Sequence, residues 1–203
     1  MIGIIDYEAG NIASVRNALS RLSVDFTVTN DIKKLEQCDG YIFPGVGHAY
    51  SAMRSLEEHH LIEWMKNVQK PLLGICLGMQ LLFEESEEGS SKGIGVIPGK
   101  LKKFDSDLGK VPHMGWNTFT DIKEHNLLRG IGKEDYFYYV HSYYAPVNEF
   151  TLATCDYINR FASVVARDNF LGAQFHPEKS GEIGERLLSN FLTIVTDWSP
   201  VTV

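Results

Sequence analysis

Cys76 stands in the segment Gly74-Ile75-Cys76-Leu77-Gly78, between a predicted strand and a predicted helix. This spacing is typical of a nucleophile elbow, in which small residues on either side of the nucleophile let strand and helix approach closely. A thiol at a helix N-terminus also has a lowered pKa, because the positive end of the helix dipole favours the thiolate. The segment therefore predicts a cysteine nucleophile. Taken alone, it is equally typical of a buried structural cysteine.

The segment Phe175-His176-Pro177-Glu178 supplies the base and the orienting group that a thiolate nucleophile needs. Pro177 disfavours helical backbone at His176, and positions two apart in an extended segment face the same side. We therefore expect His176 and Glu178 to form a base and carboxylate pair. A surface histidine and glutamate at a strand end is the alternative that this segment leaves open. The order Cys76, His176, Glu178 along the chain favours a catalytic triad.

Pro44-Gly45-Val46-Gly47 follows a predicted strand and precedes a predicted helix. Its glycines allow a backbone N–H to turn towards a developing negative charge, and the N–H of Leu77 would point at the same oxyanion. The segment is thus a candidate for the second half of an oxyanion hole. An ordinary turn after a strand is the competing interpretation.

The composition excludes several classes of protein. The chain has 203 residues, of which 44% are hydrophobic and 22% charged, so disorder and fibrous repeats are excluded. The length favours a single domain spanning residues 1–203. With 19 basic and 26 acidic side chains, the net charge of −7 argues against a nucleic-acid partner.

Membrane insertion and metal binding are also not expected. The most apolar stretch, Leu72–Phe83, is shorter than the roughly 20 residues of a membrane-spanning helix. Met1–Asp6 lacks the basic start of a signal peptide. Cys38, Cys76 and Cys155 are odd in number and widely spaced, which indicates neither disulfides nor a zinc site. We expect a cytoplasmic protein without a metal or other cofactor.

Strands and helices alternate in the first half of the chain. Its predicted strands are Met1–Asp6, Asp25–Val28, Tyr41–Phe43 and Leu72–Ile75. Apolar residues recur at helical spacing between these strands, and Leu77–Phe83 continues with helical composition. Such alternation predicts an α/β fold with a mostly parallel central sheet and helices on both faces.

The second half is richer in short strands. These are Val96–Phe104, Tyr136–Val140, Thr151–Cys155, Ala162–Ala166 and Phe170–Phe175. They predict a partly antiparallel extension of the sheet. Gly89–Gly95 is expected to be a flexible loop, and a final helix is expected to follow Ser180 as its N-cap.

Together these motifs resemble the class I (triad) glutamine amidotransferases. The resemblance rests on Gly-Ile-Cys-Leu-Gly-Met-Gln at 74–80, Pro-Gly-Val-Gly at 44–47 and Phe-His-Pro-Glu at 175–178. More narrowly, Pro-His-Met-Gly-Trp-Asn at 112–117, His-Ser-Tyr at 141–143 and His-Pro-Glu-Lys-Ser at 176–180 resemble the glutaminase subunits of imidazole glycerol phosphate synthases. The match extends from the first predicted strand to the last helix.

The resemblance implies a reaction. Cys76 attacks the side-chain amide of glutamine, and His176 protonates the leaving ammonia while Glu178 holds the imidazole. Water activated by His176 then releases glutamate from the thioester. In this family, ammonia passes to a (βα)8-barrel cyclase subunit in a heterodimer, where it is used in histidine synthesis.

The resemblance also assigns residues around the nucleophile. It implies that Gly45, Gln80, Glu88, Ser142 and Tyr143 bind glutamine. Glu88 ends an acidic run, Glu-Glu-Ser-Glu-Glu, which by itself predicts a solvated helix face.

The oxyanion residues implied by the resemblance are Val46, Gly47 and Leu77. Many relatives carry glycine where this chain has Val46, and valine resists positive φ. We therefore expect the oxyanion hole to form only when the cyclase subunit is docked and loaded.

The face implied to meet the cyclase subunit consists of Met114, Trp116, Asn117, Tyr138 and Lys179. An apolar and aromatic patch with a cation suits such an interface. Ordinary core positions for Met114 and Trp116 are the alternative.

Other functions remain open on the sequence alone. The glutaminase subunit of another class I amidotransferase is one. A γ-glutamyl peptidase that works without a partner is a second, and a non-catalytic scaffold subunit of the same fold is a third. The intact set of Cys76, His176 and Glu178 argues against the scaffold.

Overall fold

A computed structural model describes residues 1–8 and 11–199. Its helices are α1 Ile12–Arg21, α2 Ile32–Leu35, α3 Ala49–Glu58, α4 Leu61–Asn67, α5 Leu77–Leu81 and α6 Gly181–Asp197. Its first seven strands are β1 Ile2–Ile5, β2 Phe26–Thr29, β3 Gly40–Gly45, β4 Leu72–Cys76, β5 Phe83–Ser86, β6 Ser91–Lys92 and β7 Ile97–Lys103. The others are β8 His113–Asn117, β9 Asp121–Ile122, β10 Phe137–His141, β11 Tyr143–Tyr144, β12 Thr151–Asp156, β13 Arg160–Arg167 and β14 Phe170–Ala173.

The main sheet has eight strands in the order β2-β1-β3-β4-β14-β13-β12-β9. The first five run parallel, and the last three join through antiparallel pairings. Two smaller sheets pair β8 with β10 and join β11, β7, β5 and β6. The predicted parallel sheet with a partly antiparallel extension is confirmed.

Helices cover both faces of the main sheet because successive strand residues point to opposite sides. On one face, Leu73 of β4 packs in a cluster with residues of α1 and α6. On the other, Leu72 packs in a second cluster with residues of α3, α4 and α5. The inner parallel strands β1, β3, β4 and β14 are therefore buried on both faces, which explains their largely apolar sequences, whereas β2 at the sheet edge is half-buried.

Two local predictions were wrong. The helix predicted over Leu77–Phe83 ends at Leu81, since Phe83 begins a strand. Gly89–Gly95 is not simply a loop, because its residues Ser91 and Lys92 pair with β5.

Ser180 occupies the predicted N-cap position of α6, but its hydroxyl makes no capping hydrogen bond to the helix. Instead it donates to the His176 carbonyl at 2.7 Å and accepts from the Tyr138 N–H at 3.0 Å. This residue therefore joins β10 to the segment after β14.

The carboxyl ends of β3, β4 and β14 meet at one edge of the sheet, where ligands bind in open α/β folds. Strand β3 lies directly against the start of α5. A Cβ atom added at Gly78 would lie 1.9 Å from the carbonyl oxygen of Phe43, and one added at Gly45 would lie 2.4 Å from the Gly78 nitrogen. Only glycine permits this approach.

We predict that Gly78→Ala destabilises the protein by about 3 kcal/mol or more, because the added methyl group has no space beside the Phe43 backbone. Gly132→Ala is the matched control, since its Cβ would meet nothing closer than Asp135 Oδ2 at 3.9 Å. Urea unfolding of both variants measures the effect. Equal midpoints for Gly78→Ala and the wild type would contradict the prediction.

Candidate active site

Cys76 is the last residue of β4 and the N-cap of α5. Its backbone has φ 53° and ψ −110°, a conformation that costs a residue with a side chain on the order of 1–3 kcal/mol. The surrounding contacts hold this turn, as a nucleophile elbow requires. The Cys76 sulfur lies 3.8 Å from the Val140 carbonyl oxygen and 3.8 Å from Gln174 Nε2.

His176 and Glu178 form the predicted pair, although not by the predicted backbone. His176 is extended, with φ −101° and ψ 94°, whereas Glu178 lies in a 3-10 turn, Pro177–Lys179. His176 Nδ1 donates to Glu178 Oε1 at 2.8 Å, and both side chains are 1% exposed. Within the described residues, His176 Nε2 has no hydrogen-bond partner.

The environment of His176 favours its protonated form. Burial by itself lowers the pKa of the imidazole, but the neighbouring Cys76 sulfur and the Glu178 carboxylate outweigh burial and raise the pKa to about 10. A protonated imidazole beside a cysteine stabilises the thiolate. It can also give its proton to a leaving group.

Asn11, a residue for which the sequence predicted no role at this site, supports the pair from the position just before α1. Its Nδ2 donates to Glu178 Oε1 at 3.2 Å, and its Oδ1 accepts from the Ser14 hydroxyl at 2.8 Å. The Asn11 side chain therefore orients the carboxylate instead of capping its own helix. No local sequence signal identifies such a contact, because its partner lies 167 residues away.

A cavity of about 270 Å³ opens beside Cys76 and His176. Its other lining residues are Val46, Gly47, Leu77, Gln80, Glu88, Pro112, Val140, His141, Ser142 and Tyr143. The structure thus gathers most of the sequence-predicted site around one space. Gly45 is not in the lining, since as the last residue of β3 it packs against the start of α5. Gln174, Pro112 and His141 are near the sulfur or in the cavity wall, and no site role was predicted for them.

The oxyanion segment has its left-handed residue at a glycine. Gly47 has φ 101°, whereas Val46 stays outside the positive-φ region that valine resists. The two residues and Leu77 border the cavity on the side of the elbow.

Glu88 is turned inward, so the predicted solvated helix face is wrong at this residue. Residues Phe83–Ser86 form a strand, and the Glu88 side chain is only 13% exposed. Glu88 Oε2 accepts from the backbone N–H of Ala49 at 2.7 Å, at the N-terminus of α3. That position fixes a carboxylate in the cavity wall.

Gln80 is also held by protein contacts. Its Nε2 donates to the Tyr143 carbonyl and to Gln174 Oε1, both at 2.9 Å. Gln80 therefore ties the Ser142–Tyr143 wall to the strand end that carries Gln174.

The five residues predicted to face a partner divide into two groups. Met114 and Trp116 on β8 are 60% and 55% exposed, so they are not core. Trp116 pairs across the sheet with Tyr138, and Lys179 Nζ lies 5.9 Å from the Tyr138 ring centroid. Asn117 instead points its Nδ2 at the Asp156 carbonyl, 3.0 Å away.

In residues 1–8 and 11–199, His, Cys, Asp and Glu side chains form no group of three or more suited to a metal ion. Over the same residues, none of the helices has the length and apolar character needed to cross a bilayer.

Comparison with known proteins identifies the family. The model of "Glutamine amidotransferase class-I" matches residues 3–195. The chain belongs to the class-I glutamine amidotransferases. Two relatives are each named imidazole glycerol phosphate synthase subunit HisH. The one from Bacillus cereus is 48% identical over 98% of this chain and 97% of its own. The one from Bacteroides fragilis is 47% identical over 95% and 99%.

Solved structures of glutamine amidotransferases share the fold. One such structure aligns with a TM-score of 0.75 at 18% identity, covering 96% of this chain and 98% of that one. A glutamine amidotransferase from Thermotoga maritima aligns with a TM-score of 0.65 at 15% identity, covering 97% and 98%. Sequence identities this low establish the fold alone.

We predict that Glu178→Gln lowers the pKa of His176 and reduces glutamine turnover by about a hundredfold or more, because the imidazolium loses its carboxylate partner. An NMR titration of the imidazole and a glutamate-release assay measure the two effects. The exposed Glu134→Gln serves as the control. An unchanged His176 pKa together with full turnover would refute the prediction.

Proposed function

We propose that the chain is the glutaminase subunit of an imidazole glycerol phosphate synthase and that Cys76, His176 and Glu178 are its catalytic residues. The observation that carries the proposal is that Cys76 and His176 line one cavity while the buried Glu178 carboxylate accepts a hydrogen bond from His176. Relatives that share nearly half of their residues with this chain over almost its full length bear the name of that subunit. The chain hydrolyses glutamine to glutamate and ammonia.

The reaction follows from the positions of these groups. The Cys76 sulfur attacks the carboxamide carbon of glutamine, and the negative oxygen that forms accepts hydrogen bonds from the Leu77 N–H and from the Val46–Gly47 segment. His176 Nε2 gives its proton to the amide nitrogen as the C–N bond breaks, so that ammonia leaves and a γ-glutamyl thioester remains on Cys76. His176 then takes a proton from water, which attacks the thioester and releases glutamate.

The cavity wall fits the polar groups of glutamine. The Glu88 carboxylate offers an acceptor for the α-ammonium group, since Oε2 is anchored on Ala49 while Oε1 is 4.0 Å from His48 Nε2. Gln80, Ser142 and Tyr143 line the remaining wall and would position the substrate. Gly45 would contribute by keeping β3 close to α5.

The partner is proposed to be a (βα)8-barrel cyclase subunit that receives the ammonia in a heterodimer. Met114, Trp116 and Lys179 supply exposed apolar, aromatic and cationic groups typical of an interface, and Tyr138 adds a half-buried aromatic ring. Asn117 would support this face from behind through its bond to Asp156. The free thiols of the three cysteines fit a cytoplasmic location.

Val46 motivates a proposal about activation. A peptide flip that aims a backbone N–H into the cavity forces unusual dihedral angles on its neighbours, and these are costly for valine. We therefore infer that docking of the loaded cyclase subunit supplies the free energy for this rearrangement. The isolated chain is then a slow glutaminase.

Glutamate release from glutamine tests the proposed function. Wild type, Cys76→Ala and the control Cys38→Ala are each assayed alone, with the cyclase subunit, and with that subunit plus its nucleotide ligand. We expect strong release only in the loaded complex, from wild type and Cys38→Ala but not from Cys76→Ala. Equal release without the partner would contradict the activation proposal, and no release under any condition would favour a scaffold.

The proposed interface makes its own prediction. Trp116→Ala weakens binding to the cyclase subunit by about tenfold or more, because exposed tryptophans at interface centres are frequent hot spots. Val147→Ala, at an exposed apolar residue on neither β8 nor β10, is the control. Titration calorimetry measures both dissociation constants, and equal affinities would place the interface elsewhere.

A further inference from the structure

Two buried histidines, His113 and His141, take no part in the proposed reaction. They face each other across the β8–β10 pair and are both almost fully buried. The His113 ring is stacked between Tyr139 and Tyr157, with centroids 4.8 and 4.1 Å away. Burying two imidazoles is unfavourable unless their nitrogens find partners.

Every nitrogen of the two rings has a hydrogen-bond partner. His141 Nδ1 lies 2.8 Å from the Tyr143 carbonyl oxygen, and His141 Nε2 lies 3.1 Å from His113 Nδ1. His113 Nε2 lies 3.4 Å from Asn117 Nδ2. The two imidazoles thus form a continuous chain between Asn117 and Tyr143.

The chemistry of its ends fixes the direction of this chain. A carbonyl oxygen only accepts, so His141 Nδ1 must carry the proton. In the neutral ring, His141 Nε2 then accepts, which requires the proton of His113 to be on Nδ1. His113 Nε2 is left to accept from the Asn117 amide. The hydrogen bonds therefore run from Asn117 through His113 and His141 to the Tyr143 carbonyl.

Burial keeps both rings neutral, as this direction requires. It lowers the pKa of His113 to about 4. Burial, together with the nearby His113 and His176 rings, outweighs the Tyr143 carbonyl and lowers the pKa of His141 to about 3. Near neutral pH the hydrogen-bond chain therefore has a single arrangement of its protons.

One end of the chain belongs to the cavity wall. The Tyr143 carbonyl that accepts from His141 also accepts from Gln80 Nε2, and Gln80 in turn donates to Gln174. Gln174 Nε2 lies 3.8 Å from the Cys76 sulfur. The position of the Tyr143 carbonyl is thus shared between the histidine chain and the surroundings of the sulfur.

The other end belongs to the exposed face of β8. Asn117 follows Trp116 directly, and Met114 follows His113. Asn117 is itself fixed by its bond to the Asp156 carbonyl. Any displacement of β8 would therefore move the first donor of the chain.

We propose that His113 and His141 are positioning residues that hold the Ser142–Tyr143 wall of the glutamine pocket and connect it to the Met114–Trp116 face. The inference rests on the proposed function of this cavity as the glutamine site. His113 orients His141, and His141 sets the Tyr143 carbonyl. Loss of one of these hydrogen bonds makes the Ser142–Tyr143 wall more mobile while Cys76, His176 and Glu178 stay in place.

Two substitutions at one position separate hydrogen bonding from packing. His113→Phe keeps an aromatic ring between Tyr139 and Tyr157 but leaves His141 Nε2 without a donor. His113→Asn loses the ring but keeps a donor, because the asparagine Nδ2 is as many bonds from Cα as His113 Nδ1. His125→Phe is the control, since this histidine contacts the Leu127 N–H outside the cavity.

We expect His113→Phe to raise KM for glutamine by about tenfold with kcat changed much less, because a buried acceptor is orphaned beside the substrate wall. His113→Asn should keep KM within about threefold of wild type despite a larger loss in Tm. Assays use the complex with the loaded cyclase subunit. If KM rises in step with the loss of Tm, so that the asparagine variant is the worse one, packing alone explains the two histidines and the proposal fails.

A spectroscopic measurement tests the direction of the hydrogen-bond chain without any assay of activity. Imidazole nitrogen NMR spectra of the wild-type chain near pH 7 should show both rings neutral with the proton on Nδ1. A proton on Nε2 of either ring, or a charged ring, would overturn the proposal even if the variants do not fold. Because this result does not depend on glutamine hydrolysis, its failure is distinguishable from failure of the proposed function.

Discussion

The close contact between β3 and the first turn of α5 is the constraint on which the site depends. Gly78 lies against the Phe43 carbonyl and Gly45 against the Gly78 nitrogen, with no space for a side chain at either position. This contact brings the oxyanion segment beside the elbow, and the chain at Cys76 turns through a positive φ to enter the helix. The strained backbone of Cys76 costs conformational free energy, and it presents the thiol at the sheet edge.

The remaining groups are arranged around that thiol by a second set of contacts. Glu178 is held by both His176 and Asn11, and Ser180 ties the segment after β14 to Tyr138. The carboxylate and the Cys76 sulfur together overcome the burial that would otherwise deprotonate the imidazole. The protonation state of His176 therefore depends on contacts that extend from the residue before α1 to β10.

The parts of the site that could be predicted from the sequence are those with local signals. The motif around Cys76 and the His176–Glu178 motif are each contained within five consecutive residues. The strand–helix alternation then locates both motifs at strand ends. The family resemblance assigned Glu88 to the substrate pocket, but the local pattern could not, because an acidic run predicts solvation unless tertiary contacts turn one carboxylate inward. The contact of Asn11 with Glu178 depends on the packing of the whole sheet.

Strand β8 is a further element that the local sequence pattern could not predict. It contains Gly115 and Asn117, which are poor strand formers, and the sequence predicted no strand there. Its pairing with β10 brings His113 to His141, and only that register reveals the hydrogen-bond chain. The local sequence pattern contains no information on how distant strands pair, so the hydrogen-bond chain could not be predicted from it.

We propose that Cys76, activated by its neighbours, is the nucleophile of a glutamine site. A glutamine analogue with a chloromethyl ketone in place of the carboxamide tests it directly, with the adduct located by mass spectrometry in the loaded complex. We expect one adduct per chain, on Cys76, whose formation is prevented by excess glutamine and slowed in His176→Ala. An adduct on Cys38 or Cys155, or labelling of Cys76 that glutamine does not prevent, would contradict it.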